Sequence, residues 1–540
     1  MDQPELDLTS LRSILLDLAP KGRSALLPAL HAAQEIYGYL PEPVAQEIAR
    51  ALAVPLVEVH GVIDFYANLY RRPVGKTMIH VCNDPACMMA GADGVFKVIK
   101  QHLEQQPEGK SITVEQSPCL GLCALAPALL YDGKAVGMTG EQTYEDLMAG
   151  NIHHLHSQLG GDISILTSNC GKDEPTSLAA YIENGGYAGL KKALSLSPEQ
   201  VIAEVKASGL VGRGGAAFPT GVKWEGAYRA PAQPKYVVCN ADEAEPGTFK
   251  DRILMEGDPH RILEGLMIAA YAIGAEQGYV YIRGEYLEAY NIMKNAADEA
   301  YQAGYLGQNI LGSGFSFELE LRRGAGAYIC GEETALFESI EGKRGFPRLK
   351  PPFPTTVGLF GKPTVINNVE TLANIPTLIA NGSAAYRQIG TEKSPGPKLF
   401  CLSGDVARPG LYEVPFGVTF RHLLYDLAGG VRPGHQLRAA LFGGAAGAFA
   451  TPDDLDVRLT FEDLRAANLP LGSGVITVFD DTRDPRDILV RLARFFAEES
   501  CGKCYPCQIG TQRQYEIIQQ VAEGNAKGDF VQAGPGDIAR

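Results

Sequence analysis

Apolar residues recur at helical spacing in the first part of the chain. The segment from Ser24 through Ile36 shows this pattern, and another begins at Pro41 and continues through Ala53. Positions three and four residues apart share one face of a helix, so both segments predict amphipathic helices. We therefore expect residues 8–72 to be mainly helical.

Short apolar runs alternate with a helical pattern farther along. Met78–Val81 leads directly into Cys82, Gly94–Leu103 has helical periodicity, and Ile112–Val114 precedes a second pair of cysteines. Short apolar runs of this kind predict strands. The pattern therefore predicts a small α/β unit in which each cysteine pair lies just beyond the end of a strand.

The rest of the chain divides into units of different pattern. Residues 160–178 are typical of a linker, whereas Leu194–Tyr286 alternates helical and strand patterns and predicts a layered α/β domain. Short strands around one helix, Phe420–Leu427, predict a small α+β unit over residues 398–480. From Arg483 onward the pattern is helical, interrupted by three cysteines.

Composition and charge exclude several classes of protein. Of the 540 residues, 45% are apolar and 21% charged, which excludes a mainly disordered or low-complexity chain. The net charge of −15 argues against sequence-independent binding of nucleic acid. The longest apolar candidate, Ile262–Ala275, is too short to span a membrane, and the first ten residues lack a secretory pattern. We expect a cytoplasmic protein without membrane insertion.

The odd number of cysteines, eleven, argues against a disulfide framework. Their spacing is uneven: seven stand in groups that can bind a metal, whereas Cys170, Cys239, Cys330 and Cys401 are solitary and predicted to be small buried hydrophobic residues. Four residues separate Cys82 from Cys87, and three separate Cys119 from Cys123. Two pairs of thiolates can hold zinc or a [2Fe–2S] cluster, and the spacing favours the cluster without excluding zinc. A further group forms two successive C-x-x-C steps: Cys501, Cys504 and Cys507.

Two glycine-rich loops carry candidate binding residues. Leu210–Gly221, followed by Lys223, would let backbone N–H groups approach a phosphate, although such loops often serve only tight packing. The acidic segment Asn240–Gly247 suits hydrogen bonding to hydroxyl and ring N–H groups, and a solvated turn is the alternative. Gly324–Glu333 is equally compatible with a surface turn, and Lys350–Phe353 with adenosine binding or simple packing.

Taken together, these motifs resemble one family. GRGGAAFPTGVKW, CNADEAEPGTFKDR, GAGAYICGEETAL, KPPFP, INNVETLANI and ESCGKCYPC occur in the family's order. The chain resembles the NADH-oxidising flavoprotein subunit of respiratory complex I, fused behind its thioredoxin-like iron–sulfur companion. The same fusion occurs in the diaphorase subunits of NAD-linked formate dehydrogenases and NAD-reducing hydrogenases.

The resemblance implies a multidomain α/β fold whose parts follow one another along the chain. These are an N-terminal helical domain (1–76), a thioredoxin-like [2Fe–2S] domain (77–160), a linker (161–180), a Rossmann-like FMN- and NAD-binding domain (181–394), a ubiquitin-like β-grasp domain (395–482) and a C-terminal helical [4Fe–4S] domain (483–540).

The resemblance also implies the site residues. The catalytic pair is Glu245 and Tyr328. FMN is expected to contact Gly212, Arg213, Gly214, Gly215, Lys223, Asn240, Asp242, Glu243, Gly331, Glu332, Asn367, Asn368 and Thr371. The NAD(H) residues are Phe218, Glu333, Lys350 and Phe353, with Glu333 facing the adenosine ribose. Cys82, Cys87, Cys119 and Cys123 match the [2Fe–2S] ligands, and Cys501, Cys504 and Cys507 match three [4Fe–4S] ligands.

The chain departs from the family pattern in two places. The second adenine-side aromatic expected after Lys223 is absent, because Trp224 is followed by Glu225 and Gly226. No cysteine follows Cys507 to act as the fourth [4Fe–4S] ligand. A C-terminally truncated sequence is the expected explanation, and a three-cysteine cluster is the alternative.

The implied function is electron transfer between NAD(H) and an iron–sulfur chain in a hetero-oligomer. The catalytic or iron–sulfur partner would belong to a formate dehydrogenase or an NAD-reducing hydrogenase, with complex I as the alternative. A zinc-stabilised scaffold would leave the glycine-rich loops without a role, and a free-standing flavin reductase would need no clusters.

Overall fold

The computed structural model describes residues 6–105, 112–138, 144–152, 156–172 and 174–524. Its N-terminal part is helical: α1 (Thr9–Leu18), α2 (Leu26–Tyr37), α3 (Glu42–Ala51) and α4 (Leu56–Ile63). The two helices predicted from periodicity are confirmed as α2 and α3. Their apolar faces, which include Leu30 of α2 and Ile48 of α3, share a core with Tyr281 and Phe337 from the central domain. The helical unit is therefore packed onto the rest of the chain.

The two cysteine pairs belong to a small α/β unit with a four-stranded sheet. Its elements are β1 (Thr77–Cys82), α5 (Pro85–Met89), α6 (Ala92–Glu104), β2 (Ile112–Ser117), β3 (Ala128–Tyr131), β4 (Lys134–Gly137) and α7 (Tyr144–Ala149). The strand order is β2-β1-β3-β4, with β1 and β2 parallel. Both cysteine loops therefore leave the same edge of the sheet, and each pair lies at or just beyond a strand end, as the sequence predicts.

The segment predicted as a linker is fixed in place. Its start forms β5 (Gln158–Gly161), which pairs in parallel with residues 410–413 of a later sheet. The buried carboxylate of Glu413 then accepts hydrogen bonds from the backbone N–H groups of Ile165, Leu166 and Thr167 at 2.8–3.1 Å. The stretch predicted as a linker over 161–180 is therefore anchored to the later sheet, because a distant carboxylate accepts its backbone hydrogen bonds.

The central domain is an all-parallel sheet covered by helices. Its elements are α8 (Leu178–Glu183), α9 (Ala188–Leu194), α10 (Pro198–Ser208), α11 (Thr220–Arg229), β6 (Tyr236–Ala241), α12 (Lys250–Gly257), α13 (Pro259–Ile273), β7 (Gln277–Ile282), α14 (Leu287–Gln302), β8 (Glu318–Arg323), α15 (Glu333–Ile340), β9 (Thr364–Asn368), α16 (Val369–Asn381) and α17 (Ser383–Tyr386). The strand order is β8-β7-β6-β9, so the direction of winding reverses between β6 and β9. Ligands of such sheets bind at the carboxyl ends of the strands beside this reversal.

A mixed sheet follows the central domain. Its elements are β10 (Pro397–Gly404), β11 (Gly410–Pro415), β12 (Leu437–Phe442), β13 (Ala448–Ala450), α18 (Phe461–Ala466) and β14 (Val475–Asp480), in the order β13-β12-β14-β10-β11-β5. The helix predicted over 420–427 is a π-helical turn, His422–Leu427.

The last described elements are two helices, α19 (Pro485–Glu498) and α20 (Tyr505–Ala522). Short 3₁₀ turns complete the structure at Ala19–Ala25, Cys123–Leu125, Ile310–Gly312, Tyr328–Gly331, Leu359–Gly361 and Pro452–Asp454. The ends of the predicted first and last domains, residues 1–5 and 525–540, lie outside the described residues. None of the helices described is long and apolar enough to cross a membrane.

Candidate functional site

A cavity of about 330 Å³ lies at the carboxyl ends of β6 and β9. Its volume falls in the range of small-molecule sites. Nine of the predicted flavin and catalytic residues line it: Gly214, Asn240, Asp242, Glu243, Glu245, Tyr328, Gly331, Glu332 and Asn368. The structure therefore brings the two glycine-rich loops and the acidic segment, which are far apart in sequence, to one place.

Two buried carboxylates form one wall of this cavity. Burial raises the pKa of Asp242 well above its ordinary value, and its Oδ2 atom has no hydrogen-bond partner. Glu243 accepts hydrogen bonds from the backbone N–H groups of Asp251 (2.8 Å) and Arg252 (3.0 Å). Burial nevertheless raises the pKa of Glu243 to about 8, with a smaller contribution from Asp251. An orphaned acceptor on a cavity wall fits a ligand that donates a hydrogen bond.

Glu245 is held from two sides. The Tyr328 hydroxyl donates to its Oε2 atom at 2.5 Å, and the backbone N–H of Ala445 donates to its Oε1 atom at 2.6 Å. Burial raises the pKa of Glu245, although these two hydrogen bonds oppose the shift. Burial, followed by the nearby Glu245 carboxylate, raises the pKa of Tyr328. The predicted catalytic pair is thus a single hydrogen-bonded unit at the cavity.

A buried ionic network adjoins the cavity through Lys250 and Asp251, which line it. The ammonium group of Lys250, fully buried, lies 2.6 Å from Asp251 and 3.3 Å from Glu370. Lys398 reaches Glu370 at 2.7 Å from the following sheet, and burial lowers the pKa of Lys398 to about 8. Burial opposes ionisation of Glu370, but the ammonium groups of Lys398 and Lys250 lower its pKa below its usual value. The cavity lining therefore includes a fixed cation, Lys250.

Four polar lining residues are not among the predicted site residues: Thr248, Lys250, Asp251 and Ser473. Three of them stand in the quoted motif CNADEAEPGTFKDR, so that motif could have identified them. Ser473 comes from the following sheet, and its hydroxyl lies 3.1 Å from that of Thr248. No local signal marks Ser473, because its role depends on packing between two domains.

Several predicted flavin residues do not line the cavity but support it. The Arg213 side chain turns away, donating to Tyr386 Oη (3.1 Å) and to the Pro395 carbonyl (2.9 Å). Its backbone N–H donates to the hydroxyl of Thr371 at 2.8 Å. Lys223 donates to the Ile366 carbonyl at 3.0 Å, whereas Asn367 accepts from the buried Trp224. These residues, together with Gly212 and Gly215, shape the loops around the lining residues.

The predicted NAD(H) residues lie outside the cavity lining, with Glu333 at the start of α15 and the other three on loops. Phe218 and Phe353 have 51% and 60% of their surface exposed. Lys350 donates to both Glu332 (2.9 Å) and Glu333 (2.6 Å). Exposed rings and a salt-bridged glutamate pair beside a deep cavity fit an aromatic, polar ligand that enters from solvent.

The four cysteines of the thioredoxin-like unit converge and are buried. The sulfurs of Cys119 and Cys123 are 3.3 Å apart, and the Cys82 thiol faces those of Cys119 and Cys87. Two pairs of buried thiols that meet in this way can bind a metal centre, and these four sulfurs are the predicted ligands of the [2Fe–2S] cluster.

The C-terminal cysteines are open to solvent. Cys504 precedes the first residue of α20, Cys507 lies in its first turn, and both are exposed, while Cys501 is half-buried. A helix start places these thiols on one end of the helix, which suits ligands of a single cluster. The three predicted ligands of the [4Fe–4S] site therefore lie at or just before the start of α20.

The cavity fits FMN on three observations. The Oδ2 atom of Asp242 has no hydrogen-bond partner and can accept a hydrogen bond from a ligand. Lys250 supplies a buried cation for a phosphate. In addition, a Cβ atom on Gly214 would approach Asn368 to 2.9 Å, so only glycine leaves the wall open. Glycines at such a wall let backbone N–H groups come close to a ligand.

Models of known families match three parts of the chain. Residues 205–377 match the Nuo51 FMN-binding domain, residues 13–151 the thioredoxin-like [2Fe–2S] ferredoxin, and residues 487–533 the iron–sulfur binding region of NADH-ubiquinone oxidoreductase-F. The chain therefore carries FMN, [2Fe–2S] and [4Fe–4S] binding regions.

Individual relatives give the same result. An F-type subunit of NADH-quinone oxidoreductase from Rhizobium meliloti is 52% identical over 66% of this chain and 85% of the relative. The NADP-reducing hydrogenase subunit HndC of Solidesulfovibrio fructosivorans is 48% identical over 67% of this chain and 74% of the relative. The crystal structure of an air-oxidised NAD+-reducing [NiFe]-hydrogenase is similar with a TM-score of 0.81 and 33% identity, covering 94% of this chain and 86% of that chain. The chain thus belongs to the family of FMN- and iron–sulfur-containing NADH dehydrogenase subunits.

Proposed function

We propose that the cavity holds FMN between the Gly214 loop and the Glu245–Tyr328 pair. FMN, when bound, exchanges electrons in pairs with NAD(H) and singly with iron–sulfur clusters. Asp242 and Asn240 serve its polar groups, and Lys250 faces its phosphate. Glu245 is oriented by Tyr328 and Ala445, so it enters the reaction in one fixed position.

The NAD(H) ligand is proposed to enter over the Gly331 loop. Phe218 and Phe353 are exposed rings on which an adenine can stack. Glu333 accepts hydrogen bonds from the ribose hydroxyls, and Lys350 holds Glu333 in place. Trp224 is buried and cannot stack on the adenine, so we assign the adenine contacts to these two phenylalanines.

We further propose that the chain is the diaphorase subunit of an NAD-reducing hydrogenase or an NAD-dependent formate dehydrogenase. The observation that supports this proposal is the share of the chain that is matched: the NAD+-reducing hydrogenase structure matches 94% of it. The relatives that are F-type subunits of NADH-quinone oxidoreductase match only about two thirds of it. Complex I remains the second candidate, since those relatives have 48–52% identity.

The finer fold assignment supports this proposal. We propose that 181–394 is Rossmann-like and that 395–482 is a ubiquitin-like β-grasp unit, because β11-β10-β14-β12-β13 has a mixed order around one helical turn. The helices α19 and α20 are proposed to begin a C-terminal helical [4Fe–4S] domain.

Isolation of the native complex through a tag on this chain tests the assembly. A hydrogenase partner predicts nickel and H₂-dependent reduction of NAD+, whereas a formate dehydrogenase partner predicts molybdenum or tungsten and formate-dependent reduction. Co-purification with quinone-reducing membrane subunits and neither metal would support complex I instead. Purified chain should in every case reduce ferricyanide with NADH.

Replacing Cys87 by Ala should remove the [2Fe–2S] electron paramagnetic resonance signal and leave NADH-to-ferricyanide activity within about twofold of wild type. Cys87 lies in α5, away from the flavin loop, so its loss does not disturb the cavity. Cys239→Ala, a buried cysteine of β6, is the control and should keep the signal. Loss of dye reduction with normal FMN content would contradict this separation of the two sites.

A further inference from the structure

Arg283 connects the flavin cavity to the second cysteine loop. It follows β7 directly and is almost fully buried. One of its terminal nitrogens donates to the carbonyl of Glu243 at 2.7 Å, and the other donates to the carbonyl of Cys119 at 2.7 Å. Glu243 lines the flavin cavity, so a single guanidinium group spans the distance between a cavity wall and a proposed cluster ligand.

Other side chains also connect the Cys119 loop to the loop that contains Glu243. The Tyr286 hydroxyl donates to Glu243 Oε2 at 3.2 Å, and a Cβ atom on Gly121 would collide with that hydroxyl. Arg252 donates to the Gly121 carbonyl at 3.1 Å, while its backbone N–H binds Glu243. The cysteine loop therefore contacts the flavin loop through main-chain atoms that arginines hold in place.

Arg283 is a positive charge in mainly acidic surroundings. A small cavity of about 10 Å³ beside Tyr328 is lined by nine described residues, of which Arg283 alone is a cation and Asp242, Glu285 and Glu499 are acidic. Glu285 lies 3.1 Å from Arg283 and neutralises part of its charge. The guanidinium nevertheless keeps one donor on the Cys119 carbonyl, at a site shielded from water.

We infer that Arg283 is a positioning residue that holds the Cys119 loop against the flavin loop and raises the reduction potential of the [2Fe–2S] cluster. Reduction adds one negative charge to a cluster, and a nearby buried cation or donor stabilises that charge. Because the same fork binds Glu243, movement of the flavin loop changes the surroundings of the cluster. The inference rests on the proposed ligand role of Cys119.

Three variants of the full chain test this role: Arg283→Gln, Arg283→Lys and the control Arg491→Gln. Arg491 also joins the cysteine unit to a later helix, through its ion pair with Asp93. The measurement is a redox titration of the [2Fe–2S] signal by electron paramagnetic resonance, with iron and FMN contents of each sample. We expect Arg283→Gln to titrate at a more negative potential than wild type, with FMN content preserved. Arg491→Gln should titrate like wild type.

Arg283→Lys keeps the charge but cannot bridge both carbonyls, so its potential should lie between those of wild type and the glutamine variant. It also serves if the glutamine variant does not assemble its cluster. A wild-type potential in either Arg283 variant, at full iron and FMN content, would overturn the inference. Wild-type protein that lacks [2Fe–2S] iron altogether would instead overturn the proposed ligand set.

Discussion

Protein with Lys250 replaced by Met is expected to lose most of its FMN. The Lys250 ammonium contacts Asp251 at 2.6 Å, Glu370 at 3.3 Å and the side-chain oxygen of Asn368 at 3.2 Å. Although burial opposes it, attraction by these carboxylates raises the pKa of Lys250, so the group is charged at neutral pH. Methionine matches its length but leaves the buried carboxylates facing a phosphate that carries nearly two negative charges.

The expected loss is at least tenfold in FMN affinity, and breaking a buried ion pair should also lower the free energy of unfolding by about 3–5 kcal/mol. Flavin released by acid, per mole of protein, measures the first effect, and denaturant unfolding measures the second. Lys206→Met removes a surface pair with Glu225 and should change neither by much. Wild-type FMN content in the Lys250 variant would show that another group binds the phosphate.

Local motifs predicted the parts of the site that one segment supplies. The cysteine loops follow β1 and β2, and the acidic segment follows β6, because alternation of strand and loop is encoded within about ten residues. The family resemblance of two such segments identified Glu245 and Tyr328, which the structure joins at 2.5 Å. Sequence patterns are reliable here because strand ends in a parallel sheet meet at one edge.

Contacts between segments that are distant in sequence could not be predicted from local patterns. Ala445, which donates to Glu245, and Ser473, which lines the cavity, both belong to the unit of the following sheet. They lie more than two hundred residues beyond the glycine-rich loop at Gly214. The short strand β5 contains two glycines, so its own sequence indicates a linker. It is a strand because it pairs with β11, which is far away along the chain. For Arg213 the loop position was predictable but the direction of the side chain was not, because a buried carbonyl and Tyr386 decide it.

Replacing Glu333 by Gln should relax the preference for NADH over NADPH. Glu333 begins α15, and Lys350 donates to it at 2.6 Å and to Glu332 at 2.9 Å. A carboxylate beside the adenosine ribose would repel a 2′-phosphate, whereas the isosteric amide would not. The substitution also leaves Lys350 paired with Glu332 alone, which frees part of its charge for a phosphate.

We expect the ratio of kcat/KM for NADPH to that for NADH to rise roughly tenfold, which corresponds to about 1.4 kcal/mol of discrimination. Ferricyanide reduction at several concentrations of each nucleotide measures this ratio in samples of matched FMN content. Glu225→Gln makes the same change of charge on α11, where the carboxylate faces Lys206 and Arg229, and should leave the ratio unchanged. An unchanged ratio in the Glu333 variant would mean that another residue discriminates, and a lower kcat/KM for both nucleotides alike would assign Glu333 to binding without selectivity.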